Sequence, residues 1–523
     1  IPAAAPRGGG PTTDRRTLMA VIAVDVGTSI VKAVVFDDGG SEVAVARRAT
    51  EVRRPRPGWA EQDMDDVWHT VAAAIREVRE QVREPIGFLA VTAQGDGCWP
   101  VDAAGRPTGP AILWSDGRTA AIVEEWRADG VLDAAFRRNG SLTFAGLPNA
   151  LLTWLSRNDP DRLRRTASVL TCGGWVFHRL TGAIAVDESD ASAPFLDLRT
   201  RRYDPAGLAL FDLEWAAELL PEVRGDDRRT GGLTPAAAAD LGLPADLPVV
   251  MAPYDIAATA MGTGAVADGQ ACSILGTTLC TEIVTTTPDT TGDPSGLTIA
   301  FDSTGHLLRA FPTLAGTEIL TWAATLLGAG SPAELGRLAL GAGPEPGGPL
   351  FLPYLSPAGE RAPFLDPHAR GTWWGLSLEH DRARVARSVF EGLTLVLKDC
   401  LAASRMPITE LRLSGGGANS DQWCGLIADV TGVPVIRSTD TEVGAKGAFL
   451  SGLVATGRAP DLATAAQNHV RLRAVREPDA HLAKLYAHTY ERFVELRDLT
   501  RPGWRRMADT LSDAPTGEED ERA

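Results

Sequence analysis

The chain of 523 residues is short of lysine, poor in cysteine and free of long apolar runs. Each shortage excludes something. Lysine occurs only at Lys32, Lys398, Lys446 and Lys484, and 67 acidic residues outnumber 51 Lys plus Arg, giving a net charge of −16. No basic run occurs, so nucleic acid and anionic membrane are not expected partners. The six cysteines form no CxxC pair and no cysteine–histidine cluster with zinc spacing. In so long a chain this predicts reduced thiols and a cytoplasmic location. No apolar stretch reaches transmembrane length, so no membrane partner is expected. Residues 1–18 lack the apolar core of a signal peptide and read as a flexible N-terminal arm, with Met19 a candidate natural start. Residues 506–523, which end in "DAPTGEEDERA", read as an acidic disordered tail.

Several nucleotide-enzyme signatures are also missing. The sequence has no Gly-Lys dipeptide, which removes a Walker A loop. It has no His-Arg-Asp and no Asp-Phe-Gly element. No Gly-x-Gly-x-x-Gly stands between a strand and a helix.

What is present is one pattern used twice. Residues 21–26 and 32–36 are β-branched, apolar runs, and Gly27-Thr28-Ser29 lies near the tip between them, which predicts a hairpin. Asp63 then opens a helix whose apolar positions Val67, Val71, Ile75, Val78 and Val82 are spaced by four and three. "IGFLAVTAQ" reads as a strand ending at Gln94-Gly95-Asp96-Gly97, and "GPAILWSDGR" as a short strand running into Trp114 and Asp116. Later, "GQACSILGTTLCTEIVTT" repeats strand, Gly276-Thr277-Thr278 tip and strand. Further on, Gly415-Gly416-Gly417 forms a tight loop between a strand and a helix stopped by Gly432. Two such units, each heading a half, predict an internally duplicated α/β protein with a cleft between its halves.

The loops have a chemical reading. A Gly-Thr-Ser tip lets backbone amides and hydroxyls approach an anion, and phosphate is the natural ligand. Asp25 beside the first loop can hold magnesium, directly or through water, and the ion can bridge phosphates. Two such loops plus the triple glycine point to a nucleotide. "VVMAPYDIAATAMGTG" adds a lone carboxylate, Asp255, with its nearest charged neighbours in sequence at Asp246 and Asp268. It either caps a helix beginning at Ile256 or serves as a general base beside a substrate hydroxyl.

In this order the motifs resemble the FGGY carbohydrate kinases, built on the ribonuclease-H-like fold shared with actin and hexokinase. The resemblance runs from about Val21 to about Gly457. "AVDVGTSIVKAVVFD" resembles the first phosphate loop and "PGWAEQD" the segment after it. "AILWSDGR" is similar to the sugar-side strand, "APYDIAATAMGTG" to the stretch around the catalytic Asp, and "ILGTT" to the second phosphate loop. "YLSPAGERAPFLDPHARGTWWGLSL" and "SGGGANSDQW" complete the order. Two departures stand out: Leu151 where lysine is expected, and Arg384 where an acidic, amide or imidazole side chain is usual.

The resemblance implies two duplicated actin/hexokinase-type domains flanking a deep cleft, expected at residues 19–257 and 258–505. It implies ATP with Mg2+ and Asp255 as the general base. Asp25, Gly27, Thr28, Ser29, Lys32, Gly276, Thr277, Thr278, Gly415, Gly416 and Asn419 fall to the nucleotide, with Asp25 meeting the metal through water. Gln94, Asp96, Trp114, Asp116 and Tyr254 fall to the substrate. Gln94-Gly95-Asp96-Gly97 and "LTCGGWVFHRLTG" look more like erythritol and L-xylulose kinases than xylulose kinases, so the expected acceptor is a small neutral polyol or ketose. Rival readings on the same fold are an inactive sugar or nucleotide sensor and a sugar-independent ATPase. Oligomeric state stays open, a homodimer being one candidate.

Overall fold

The computed structural model describes residues 19–344 and 348–512. The arm at 1–18 lies outside them. So do residues 513–523 of the segment read as a tail, whereas 506–512 continue a helix.

The first half is built on a six-stranded sheet. Its strands are β1 (Ala20–Val26), β2 (Ile30–Phe36), β3 (Glu42–Ala49), β4 (Ile86–Ala93), β5 (Thr230–Gly232) and β6 (Pro248–Met251), in the order β5-β6-β4-β1-β2-β3. β1 pairs antiparallel with β2 and parallel with β4, and every residue of β1 is buried. A strand covered on both faces has no need of alternation, which is why its sequence, AVIAVDV, is nearly all apolar. Helix α1 (Met64–Gln81) covers one face. Asp63 caps it by accepting from the N–H groups of Asp65 and Asp66, and Val67, Val71, Ile75 and Val78 are buried.

The second half repeats the plan. Its strands are β7 (Gln270–Leu275), β8 (Leu279–Thr285), β9 (Leu297–Ala300), β10 (Leu307–Pro312), β11 (Glu410–Ser414), β12 (Val435–Ser438) and β13 (Leu472–Arg476), in the order β9-β10-β8-β7-β11-β12-β13. β7 pairs antiparallel with β8 and parallel with β11, as β1 does with β2 and β4.

Two helices join the halves. Helix α2 (Asp255–Thr263) follows β6, and α3 (Val443–Ala455) comes from the far end of the chain. They pack so closely that a Cβ on Gly447 would stand 1.8 Å from the Ala258 carbonyl oxygen. Small residues are therefore required there. α3 also seals the first sheet: Phe449 stacks on Phe36 at 4.9 Å, and a Cβ on Gly452 would meet the Phe88 ring at 2.2 Å. Charges tie the same region. Glu42 accepts from the N–H groups of Thr441 (2.9 Å) and Glu442 (2.8 Å), Arg47 pairs with Glu442, and fully buried Lys446 donates to the Gly40 carbonyl and to Asp440.

Candidate active site

Asp255 is the first residue of α2. The N-cap is Tyr254, which makes no side-chain cap bond; Asp255 follows it in the first turn, where the Ile256 backbone N–H favours its ionised form. Neighbours hold the turn: the Tyr254 N–H donates to Ser189 Oγ (3.0 Å), and Thr92 Oγ1 donates to the Pro253 carbonyl (2.6 Å). Asp255 itself is only partly covered. Its desolvated setting, reinforced by the Asp25 carboxylate, pushes its pKa up to about 8.

Asp25 lies at the end of β1, opposite Lys32 on β2. Lys32 Nζ stands 3.4 Å from Asp25 and 3.3 Å from Glu442, so it bridges the two halves. Burial raises Asp25, with Lys32 opposing. For Lys32 burial pulls downward, but Asp25 and Glu442 outweigh it and hold the ammonium above its usual range. The start of α3 closes over Asp25, since a Cβ on Gly444 would stand 2.8 Å from its carboxylate oxygen. Asp25 raises the charging cost of Asp255, and Glu442 that of Asp25, so a cation among these carboxylates would be favoured. Among the described residues no group of three or more His, Cys, Asp or Glu side chains could hold a metal alone, so a magnesium ion would depend on phosphate and water for its other ligands.

The first loop turns on Gly27, whose N–H donates to the Ile30 carbonyl at 3.1 Å. Thr28 Oγ1 donates to Gln94 Oε1 (2.7 Å) and accepts from Trp114 Nε1 (2.9 Å). Its proton is thus already committed. Donors toward a phosphate at this loop come from backbone N–H groups and from exposed Ser29. Gln94 is buried, and its amide nitrogen donates to Gln62 (2.8 Å). Gln94 and Trp114, expected at the substrate, are hydrogen-bonded to the first loop through Thr28.

In the second loop the Gly276 carbonyl accepts from the Thr317 N–H (2.9 Å) and hydroxyl (2.7 Å). Thr277 is exposed and Thr278 half-buried. The triple-glycine loop adjoins it. Gly415 has φ 83°, and a Cβ there would stand 2.8 Å from the Leu275 carbonyl oxygen. Gly416 faces open space, with nothing within 4 Å of a Cβ position. Lys32, Gly415, Gly416, Asn419, Arg437 and Arg473 line one cavity of about 560 Å³. Lys32 comes from the first half and the rest from the second; of the expected nucleotide residues this cavity gathers Lys32, Gly415, Gly416 and Asn419, while Asp25, Gly27, Thr28, Ser29, Gly276, Thr277 and Thr278 are not among its lining.

The acceptor side differs most from expectation. Asp116 is not an open carboxylate. It is 1 % exposed, accepts from the Ala60 N–H (2.6 Å) and pairs with Arg118 (2.8 Å). Arg118 continues to Glu61 (2.7 Å) and stacks over Trp59 at 3.7 Å, closing the cluster on itself. Tyr254 is buried, and its ring occupies the space a Cβ on Gly95 would need, at 2.4 Å. That contact explains the glycine before Asp96. Asp96 is half-buried at φ 56°, in the left-handed region that Asp tolerates better than most residues. Burial pushes it up to about 7, partly offset by Arg361. Arg361 was legible only as part of "GERAPFLDP"; nothing local marks it as reaching the other half. Leu151, in place of the expected lysine, is fully buried, so an uncharged residue suits that position.

A two-domain cleft with a desolvated carboxylate, a cation spanning the halves and glycine loops at a cavity defines a phosphotransferase of the actin and hexokinase type. Residues 20–262 match the N-terminal domain of the FGGY family of carbohydrate kinases, and residues 271–456 match its C-terminal domain. The chain belongs to this family and is a carbohydrate kinase. It is 32% identical over 508 residues to an erythritol kinase of Brucella abortus, covering 93% of this chain and 98% of that one. It is 31% identical over 436 residues to a xylulose kinase of Escherichia coli, covering 81% and 87%. Among solved structures, one titled as a xyloylose kinase from Brucella ovis superimposes with a TM-score of 0.82 at 30% identity, covering 91% and 98%.

Proposed function

We propose that this kinase transfers the γ-phosphoryl group of ATP to a hydroxyl of a small neutral polyol or ketose, erythritol- or xylulose-like, with Asp255 as general base. One observation carries this: a carboxylate in the first turn of α2, raised toward neutrality by burial, lies in the field of Asp25 at a cleft that the nucleotide cavity shares through Lys32. Asp255 would accept the hydroxyl proton as the oxygen forms its bond to phosphorus and the bond to ADP breaks. Lys32 and the loop amides balance charge on the phosphates, and the glycines at 415 and 416 leave room for a flat adenosine beside Asn419. When bound, magnesium would be held by Asp25 and would neutralise phosphate charge. The acceptor class follows the relatives named as erythritol and xylulose kinases, and the Gln94-Gly95-Asp96-Gly97 loop, which resembles the erythritol and L-xylulose kinases more than the xylulose kinases.

A coupled ADP-release assay tests the reading, run with and without erythritol, xylitol, D- and L-xylulose, D-ribulose, glycerol and gluconate. Turnover that depends on a neutral polyol or ketose supports it. Acceptor-independent turnover means an ATPase, and none means a sensor.

A further inference from the structure

The mechanism above leaves one charged pair without a task. Asp96 comes from the first half and Arg361 from the second. Both are half-buried, and each feels the other's field. Yet among the described residues no ion pair within 4.0 Å joins them, and Asp96 has no hydrogen-bond partner at all. Arg361 is held from behind. Its Nε donates to the Pro312 carbonyl (2.8 Å), and its backbone N–H donates to Glu360 (2.9 Å), which also accepts from Leu314 (2.7 Å). Its guanidinium lies over Phe144 at 4.7 Å and Trp114 at 5.2 Å. Among the described residues its two terminal amino groups have no hydrogen-bond acceptor. Asp96 and Arg361 thus border the same first-half residue: a Cβ on Gly97, next to Asp96, would stand 3.4 Å from the Trp114 backbone nitrogen, and the Arg361 guanidinium lies 5.2 Å from the Trp114 ring.

We propose that Arg361 is a specificity-determining residue of the acceptor pocket, acting with Asp96 as a matched pair that selects neutral, hydroxyl-bearing acceptors. This rests on reading the cleft as a polyol or ketose site. A hydroxyl can donate to Asp96 and accept from Arg361 at once, so adjacent hydroxyls, or a hydroxyl beside a ketone, satisfy both. The pair is close to neutral as a unit, so a sugar acid gains from Arg361 what it loses to Asp96. Because the two residues come from opposite halves, the pocket is complete only when the cleft is assembled.

The test measures turnover of erythritol, D- and L-xylulose and gluconate at saturating ATP. Arg361→Gln should raise the KM of the best neutral acceptor about tenfold or more, as expected for a lost charge-assisted hydrogen bond, with the KM for ATP little changed. Arg361→Lys should fall between. Asp96→Asn leaves Arg361 unopposed and should raise gluconate turnover relative to the neutral acceptor. The Asp96→Asn, Arg361→Gln double variant should lose that gain, and a gain of activity cannot come from misfolding. If wild type uses neutral acceptors but Arg361→Gln leaves their KM within twofold, or the gluconate gain survives in the double variant, the pair does not select and the proposal falls alone. If wild type uses no neutral acceptor, the polyol or ketose reading fails and takes the proposal with it.

Discussion

Replacing Asp255 with Asn should make the protein slower and more stable together. The side chain keeps its shape and polarity but loses the capacity to take a proton. Lost general-base catalysis costs about two to four orders of magnitude in turnover. The stability effect follows from proton linkage. In the folded protein Asp255 titrates near 8, raised by burial first and by Asp25 second, against an ordinary value of 3.8. Between those values the folded state holds a proton that the unfolded chain has released. Its contribution to stability therefore falls as pH rises from about 4 to about 8. Asn carries no such penalty. After allowing for the water that reaches a partly open cleft, the gain should be about 1–2 kcal/mol at pH 8 and close to nothing at pH 4. The assay is paired: kcat from ADP release, and thermal melting of both proteins at pH 5 and pH 8. Near-normal turnover, or a variant that melts lower than wild type at pH 8, would refute the reasoning. A helix-capping role would give the first result, since Asn caps about as well as Asp.

Turnover should climb with pH as Asp255 ionises; an acid limb that is flat from pH 5.5 to 8 would contradict this. Gly416→Leu meets open space in the protein, so melting should be unchanged while the KM for ATP rises about tenfold or more and that for the acceptor hardly moves; equal effects on both would place this loop elsewhere. Asp116→Ala leaves Arg118 with Glu61 alone and strips the acceptor from the buried Ala60 N–H, and an unsatisfied buried donor typically costs about 1–3 kcal/mol. Melting should therefore drop sharply, with no selective effect on acceptor KM in the folded fraction, and a selective acceptor effect at normal stability would return Asp116 to the pocket.

Much of this molecule could be read from one dimension. The two strand–loop–strand units, the helix opened by Asp63 and the triple-glycine turn announce themselves by short-range periodicity and by residues with special backbone freedom. Asp255 was conspicuous because a charge in an apolar stretch demands an explanation. The direction of a polar side chain on a loop was not readable. Gln94 and Trp114 were expected at the acceptor, and spacing gave no sign that both also hydrogen-bond to Thr28 of the first loop. Asp116 looked like an open carboxylate, although its partner Arg118 stands two positions along; spacing alone does not reveal that Trp59 stacks over that arginine and closes the cluster. Arg361 was invisible for a different reason. Its meaning lies in Asp96, in the other half, and no local pattern encodes a contact of that range.

The helix at Val443–Ala455 has a consequence for how the protein is made. It supplies part of the core of the first sheet, and its Lys446 reaches Gly40, 406 positions away in the chain. During synthesis the first sheet is finished early, but one of its faces waits for a helix that leaves the ribosome near the end. Val21, Val34, Phe36 and Phe88 on that face stay uncovered through most of translation. Such a chain folds late and as a whole, and a nascent first half presents an apolar surface to chaperones. Dividing the gene between the halves would leave that face bare on one product and strand its covering helix on the other.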